Sequence, residues 1–73
     1  MMLERNRALD HASDHRVLSF RQWCELNGFS EATGRRLVAG GAGPIITQLS
    51  ARRIGITIAN NRVWQASRAR NAA

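Results

Sequence analysis

At 73 residues, 44% of them hydrophobic and 22% charged, the chain suits one small folded domain, which excludes a second core and an elaborate multi-residue active site. It has no run of about 18 apolar residues to cross a membrane, no secretory segment at its start, and one cysteine, Cys24, with no partner for a disulfide or a zinc set; a cytoplasmic, metal-free domain is expected. All 11 basic residues are arginine and the net charge is +6, with the whole excess after Glu31, where Arg35, Arg36, Arg52, Arg53, Arg62, Arg68 and Arg70 occur and no acid does. Such an asymmetry favours a polyanionic partner, because arginine makes bidentate contacts to phosphate and to guanine edges. An evenly solvated basic surface is the alternative.

Taken in chain order, residues 1–16 mix charges of both signs with few apolar groups and read as a flexible N-terminal tail. His11 and His15 lie four apart, but nothing nearby completes a metal site, so solvated histidines are expected. The organised chain starts at Val17-Leu18. Ser19 and Gln22 have the spacing of a capping box, and Phe20, Trp23, Cys24 and Leu26 give the apolar side of a helix predicted over residues 19–27. Gly28 ends it, since glycine readily takes the left-handed conformation just past a helix C-terminus. Ser30 is a natural N-cap for a second helix, with Phe29 placed for a hydrophobic staple and Glu31 at the positive helix end. Leu37 and Val38 give its buried side, Ala32, Arg35, Arg36 and Ala39 its open side, and Gly40-Gly41 stops it. Two short helices about a glycine-containing turn make a helix-turn-helix arrangement.

Gly41-Ala42-Gly43-Pro44 is a breaker cluster. The β-branched run Ile45-Ile46-Thr47-Gln48-Leu49 and the alternating run Ile54-Gly55-Ile56-Thr57-Ile58 predict a β-hairpin whose tip, Ser50-Ala51-Arg52-Arg53, carries two arginines. A last short helix is predicted over residues 58–67, with Val63 and Trp64 facing the core. Trp23, Trp64 and Phe20 are assigned to the core in preference to base stacking, and Cys24 to a small buried hydrophobe. The expected fold is small α+β, a winged helix-turn-helix of two helices, a hairpin wing and a short C-terminal helix over residues 17–68, with residues 69–73 frayed.

The run Leu18-Ser19-Phe20-Arg21-Gln22-Trp23-Cys24-Glu25-Leu26-Asn27-Gly28-Phe29-Ser30 resembles the opening of the excisionase and AlpA-type proteins. The likeness continues through Thr33, Arg35, Arg36 and Leu37, the Gly43-Pro44 break, the run from Leu49 to Ile56, and Trp64. These proteins are compact winged helix-turn-helix domains related to the DNA-binding part of MerR regulators. The resemblance covers roughly residues 17–68 and lies in an ordered set of elements, not in one motif. It implies that the second helix enters the major groove of DNA with the wing beside it. Members bind side by side at recombination sites and bend DNA so that an integrase excises the element. This chain departs from the family pattern at Trp23 and Cys24, where two small residues are usual. It departs again at Gly34, where an apolar residue normally packs the recognition helix, and at Asn61, where the last helix offers an aliphatic group. A bulky Trp23 against a vacant Gly34 reads as one compensated exchange.

On this resemblance Ala32, Arg35 and Arg36 belong to the DNA-reading helix, Arg35 and Arg36 as the base contacts; a solvated helix face is the alternative. Ser30 and Thr33 sit in its first turn, where hydroxyls and backbone amides reach a phosphate, a role compatible with capping by Ser30. Arg52 and Arg53 at the hairpin tip are placed for the minor groove or the phosphates beside it. The sequence offers no nucleophile–base pair or carboxylate dyad, and Gly40-Gly41-Ala42-Gly43 lacks the lysine and the preceding strand of a P-loop. No catalysis and no cofactor are expected. Double-stranded DNA is the expected partner, with an integrase and neighbouring copies of the chain beside it, and neither a membrane nor a small-molecule ligand. Three functions compete: an excisionase or recombination directionality factor, a transcription regulator binding a promoter operator, and an adaptor docking an acidic protein. MerR-type regulators append a dimerisation helix and an effector domain, for which 73 residues leave no room. The architectural role is the expectation.

Overall fold

The computed structural model describes residues 14–71. Its elements run β1 (Val17–Ser19), α1 (Phe20–Asn27), α2 (Glu31–Ala39), β2 (Thr47–Ser50), β3 (Arg53–Thr57) and α3 (Ile58–Arg68). Together they make a small α+β domain, three helices against a three-stranded antiparallel sheet of order β1-β3-β2. His11 and most of the stretch read as a tail lie outside the described residues. At its inner end Asp14 pairs with Arg62 at 2.5 Å, and the Arg16 carbonyl accepts from the Ile58 amide.

The helix ends follow the local sequence. The Ser19 hydroxyl accepts from the Gln22 amide at 3.0 Å while the Gln22 side chain accepts from the Ser19 amide at 2.9 Å, the reciprocal capping box. At the far end of α1 the Gly28 and Phe29 amides return to the Glu25 and Cys24 carbonyls, with Gly28 at φ 79°. α2 closes the same way around Gly41 at φ 76°, its amide and that of Ala42 reaching Val38 and Leu37. Both closures need a left-handed residue, which is why glycine stands at each. Ser30 caps α2 by accepting from the Thr33 amide at 3.2 Å. Phe29 makes no staple, because the position it would reach is Gly34; its ring packs instead on Trp23 and Trp64, at 5.1 and 6.2 Å between centroids.

The hairpin is shorter than its β-branched residues suggest. Ile45 and Ile46 stay outside β2 as the chain leaves Pro44, and the connection is Ala51-Arg52 alone. A register shift between Gln48 and Ser50 bulges β2 at Leu49. β1, which the sequence does not announce, pairs with the other edge of β3, placing Leu18 opposite Ile56 and Ser19 opposite Gly55. Gly55 is crowded from both sides: a Cβ there would meet the Val17 side chain and lie 2.7 Å from the Leu18 carbonyl oxygen on β1 and 3.1 Å from the Leu49 side chain on β2.

Trp23, Ile56, Cys24 and Leu18 form the buried centre, with Phe20, Phe29, Leu37, Val38, Ile58 and Trp64 packed around it. Burial pushes the Cys24 thiol up, so it stays protonated and inert, a small hydrophobe. Of the α3 pair expected to face the core, Trp64 does so, but Val63 is 66% exposed. The helix turns Asn61 inward instead, three residues from Trp64 and on its face. The reason is polar: the Asn61 carboxamide oxygen accepts from the Trp23 indole N–H at 3.1 Å and from the Asn27 side chain at 3.0 Å. Asn27 in turn donates to the Trp23 carbonyl at 2.9 Å and accepts from Gln65 at 2.8 Å, which joins α1 to α3.

Gly34 is buried where α2 crosses α1, and an added Cβ would sit 2.6 Å from Cys24 Sγ, 3.0 Å from the Phe20 ring and 3.2 Å from the Trp23 ring. The large Trp23-Cys24 pair and the vacant Gly34 are thus one steric fit. Gly34→Ala is expected to cost about 1–3 kcal/mol by overpacking, which equals or exceeds the roughly 1 kcal/mol that alanine gains in helix propensity. Adding Cys24→Ala should recover part of that loss. Urea denaturation of the single and double variants checks both, and a stabilised Gly34→Ala protein would contradict the fit.

Candidate nucleic-acid interface

Because α2 rests on α1 through Gly34, the helical repeat of about 100° per residue places the rest of its surface. Ala32 and Arg36, two residues to either side of Gly34, lie about 160° from that contact and protrude furthest from the body; both are exposed. Arg35 lies about 100° round on one flank, close to Glu31 and Ala39, and Thr33 about 100° round on the other. The helix residues expected to act together are therefore spread over three faces. Ser30 and Thr33 are joined by their hydroxyls, Ser30 donating to Thr33 Oγ1 at 3.1 Å while it caps the helix. This leaves the Thr33 hydroxyl proton to donate elsewhere.

The flank that bears Arg35 looks toward the hairpin. Between them and α1 opens a cleft of about 500 Å³. Phe20, Val38 and Ile54 are among its apolar lining, and four arginines line it: Arg21 from α1, Arg35 from α2, and Arg52 and Arg53 from the hairpin. One carboxylate, Glu31, shares it. The fold thus brings Arg35 together with the arginine tip and sets Arg36 apart. The turn that presents the tip is tied from within, since the Gln48 side-chain amide donates to the Ser50 and Arg53 carbonyls.

Arg21 has no sequence signal as a site residue. It makes a surface pair with Glu25, one helical turn on, at 3.1 Å and with both side chains largely exposed, an arrangement worth only about 0.3–0.5 kcal/mol. Only the tertiary fold sets it opposite the hairpin. Among the described residues none of Arg35, Arg36, Arg52 and Arg53 is held in an ion pair, so no internal partner competes for them. No helix among the described residues is long and apolar enough to cross a membrane, and no group of three His, Cys, Asp or Glu there could hold a metal ion. The sequence matches no protein-family model, and neither a curated protein nor a solved structure is significantly similar to it.

Proposed function

We propose that the chain is a winged helix-turn-helix DNA-binding protein acting as an excisionase, or recombination directionality factor. In this reading α1 and α2 are the helix-turn-helix pair, α2 enters the major groove, and the β2–β3 hairpin is the wing on the adjacent minor groove or its phosphates. The observation that carries it is the common cleft flanked by the open side of α2 and by the arginine tip. Duplex DNA is a rigid polyanion wide enough to meet both at once.

A single module of this kind buries about 600–1,000 Å² of surface on DNA. Binding to an isolated site is then modest, and occupancy depends on neighbouring copies that help one another. Several wings inserted at helical-turn spacing offset a bending cost of a few kcal/mol, which makes an array of copies an architectural device for an integrase. Mobility-shift titration of duplexes carrying one and three copies of a site selected from random sequence tests this. The expected result is higher affinity per site on the three-site duplex, with migration altered by a bend. Equal affinity per site and no bend would favour a regulator at a single operator. No shift on any duplex would leave an adaptor for an acidic protein.

A further inference from the structure

We infer that one sugar–phosphate strand of the bound duplex runs through the cleft between α1, α2 and the hairpin, gripped by Arg21, Arg35, Arg52 and Arg53, an inference that rests on the DNA-binding reading above. Base reading then falls to the outermost face of α2, at Ala32 and Arg36, and Arg35 leaves the base-reading set.

Topology supplies the first reason. What separates a major groove from the next minor groove is a single sugar–phosphate strand. If α2 lies in one groove and the hairpin in or beside the other, that strand must pass between them, and what lies between them is the cleft. Chemistry supplies the second. The strand presents anionic phosphates and apolar sugar edges in alternation, and the cleft is lined by arginines from three elements together with Phe20, Val38 and Ile54. Helix geometry supplies the third. Arg35 is turned about 80° away from the mean direction of Ala32 and Arg36, toward the hairpin and not toward a groove floor. Arg21, with its side chain 76% exposed and tied only to Glu25, exchanges a weak surface partner for a phosphate. Among the described residues Glu31 is the one charge of the wrong sign along the path.

Fluorescence anisotropy over a salt series tests the path, using a labelled duplex selected from random sequence by the unaltered protein and a scrambled duplex of the same length. Arg21→Ala and Arg35→Ala should each weaken binding to both duplexes by the same factor, and each should reduce the log–log salt slope by about 0.9. Arg36→Ala should narrow the difference between the two duplexes. Glu31→Gln should strengthen binding to both, a gain that misfolding cannot produce. Circular dichroism melts matching the unaltered protein establish that the variants are folded. An unchanged slope for Arg21→Ala, or loss of preference in Arg35→Ala equal to that in Arg36→Ala, overturns the path while leaving DNA binding intact. Failure of the unaltered protein to bind either duplex overturns the DNA-binding reading itself, and the path with it.

Discussion

Trp23→Ala is expected to remove a large share of the domain's stability and to lower its melting temperature by tens of degrees. Trp23 is wholly buried, and truncating such a side chain costs about 3–5 kcal/mol. A chain of this length has only about 4–11 kcal/mol to lose, at roughly 0.05–0.15 kcal/mol per residue. The cavity cannot close cheaply, because Phe20, Phe29 and Trp64 all pack on the same ring, at 5.6, 5.1 and 5.2 Å between centroids. Collapse around alanine would have to pull α3 and the α1–α2 turn inward together. Trp23→Phe should be milder, since it keeps a ring and Asn61 still accepts from Asn27. Far-UV circular dichroism on heating measures both. A cooperative transition for Trp23→Ala within a few degrees of the unaltered protein would show that the ring is not the centre of the fold.

Affinity for duplex DNA is expected to fall about 150-fold as monovalent salt rises from about 50 to 200 mM. Each neutralised phosphate contributes about −0.9 to the log–log slope, and four cleft arginines therefore give about −3.6. Contacts to base edges add little to this slope, so Arg36 is not counted. The measurement is an equilibrium titration of the unaltered protein at several salt concentrations. A slope near −1 would mean that most of these guanidinium groups face solvent in the complex.

What the sequence discloses here is what is decided within a few residues. The Ser19–Gln22 box, the Ser30 cap and the glycines past each helix are contacts between near neighbours, and each stands where its spacing puts it. The two arginines of the hairpin were legible for the same reason, lying between two β-rich runs. β1 was not, because Val17-Leu18-Ser19 is too short to alternate and becomes a strand only by pairing with residues about 40 positions later. Ile45 and Ile46 show the converse, a strong strand preference overridden by where the chain comes from. Asn61 displaces Val63 from the interior because a buried indole N–H requires an acceptor, a demand that hydrophobic patterning does not register. Arg21 joins the cleft through the packing of three elements, and nothing in its own neighbourhood announces it.

Ser19 is at once the last residue of β1 and the cap of α1, so strand passes into helix with no linker between them. β1 is bonded to β3, and β3 carries the hairpin; α1 in turn holds α2 through Gly34. The angle between hairpin and α2 is consequently set through these contacts. On the DNA-binding proposal, a duplex that docks on both would bend where it is softest, at its pyrimidine–purine steps. Under that proposal the domain would then work as a gauge of DNA stiffness, with a sequence preference extending to base pairs that no side chain touches.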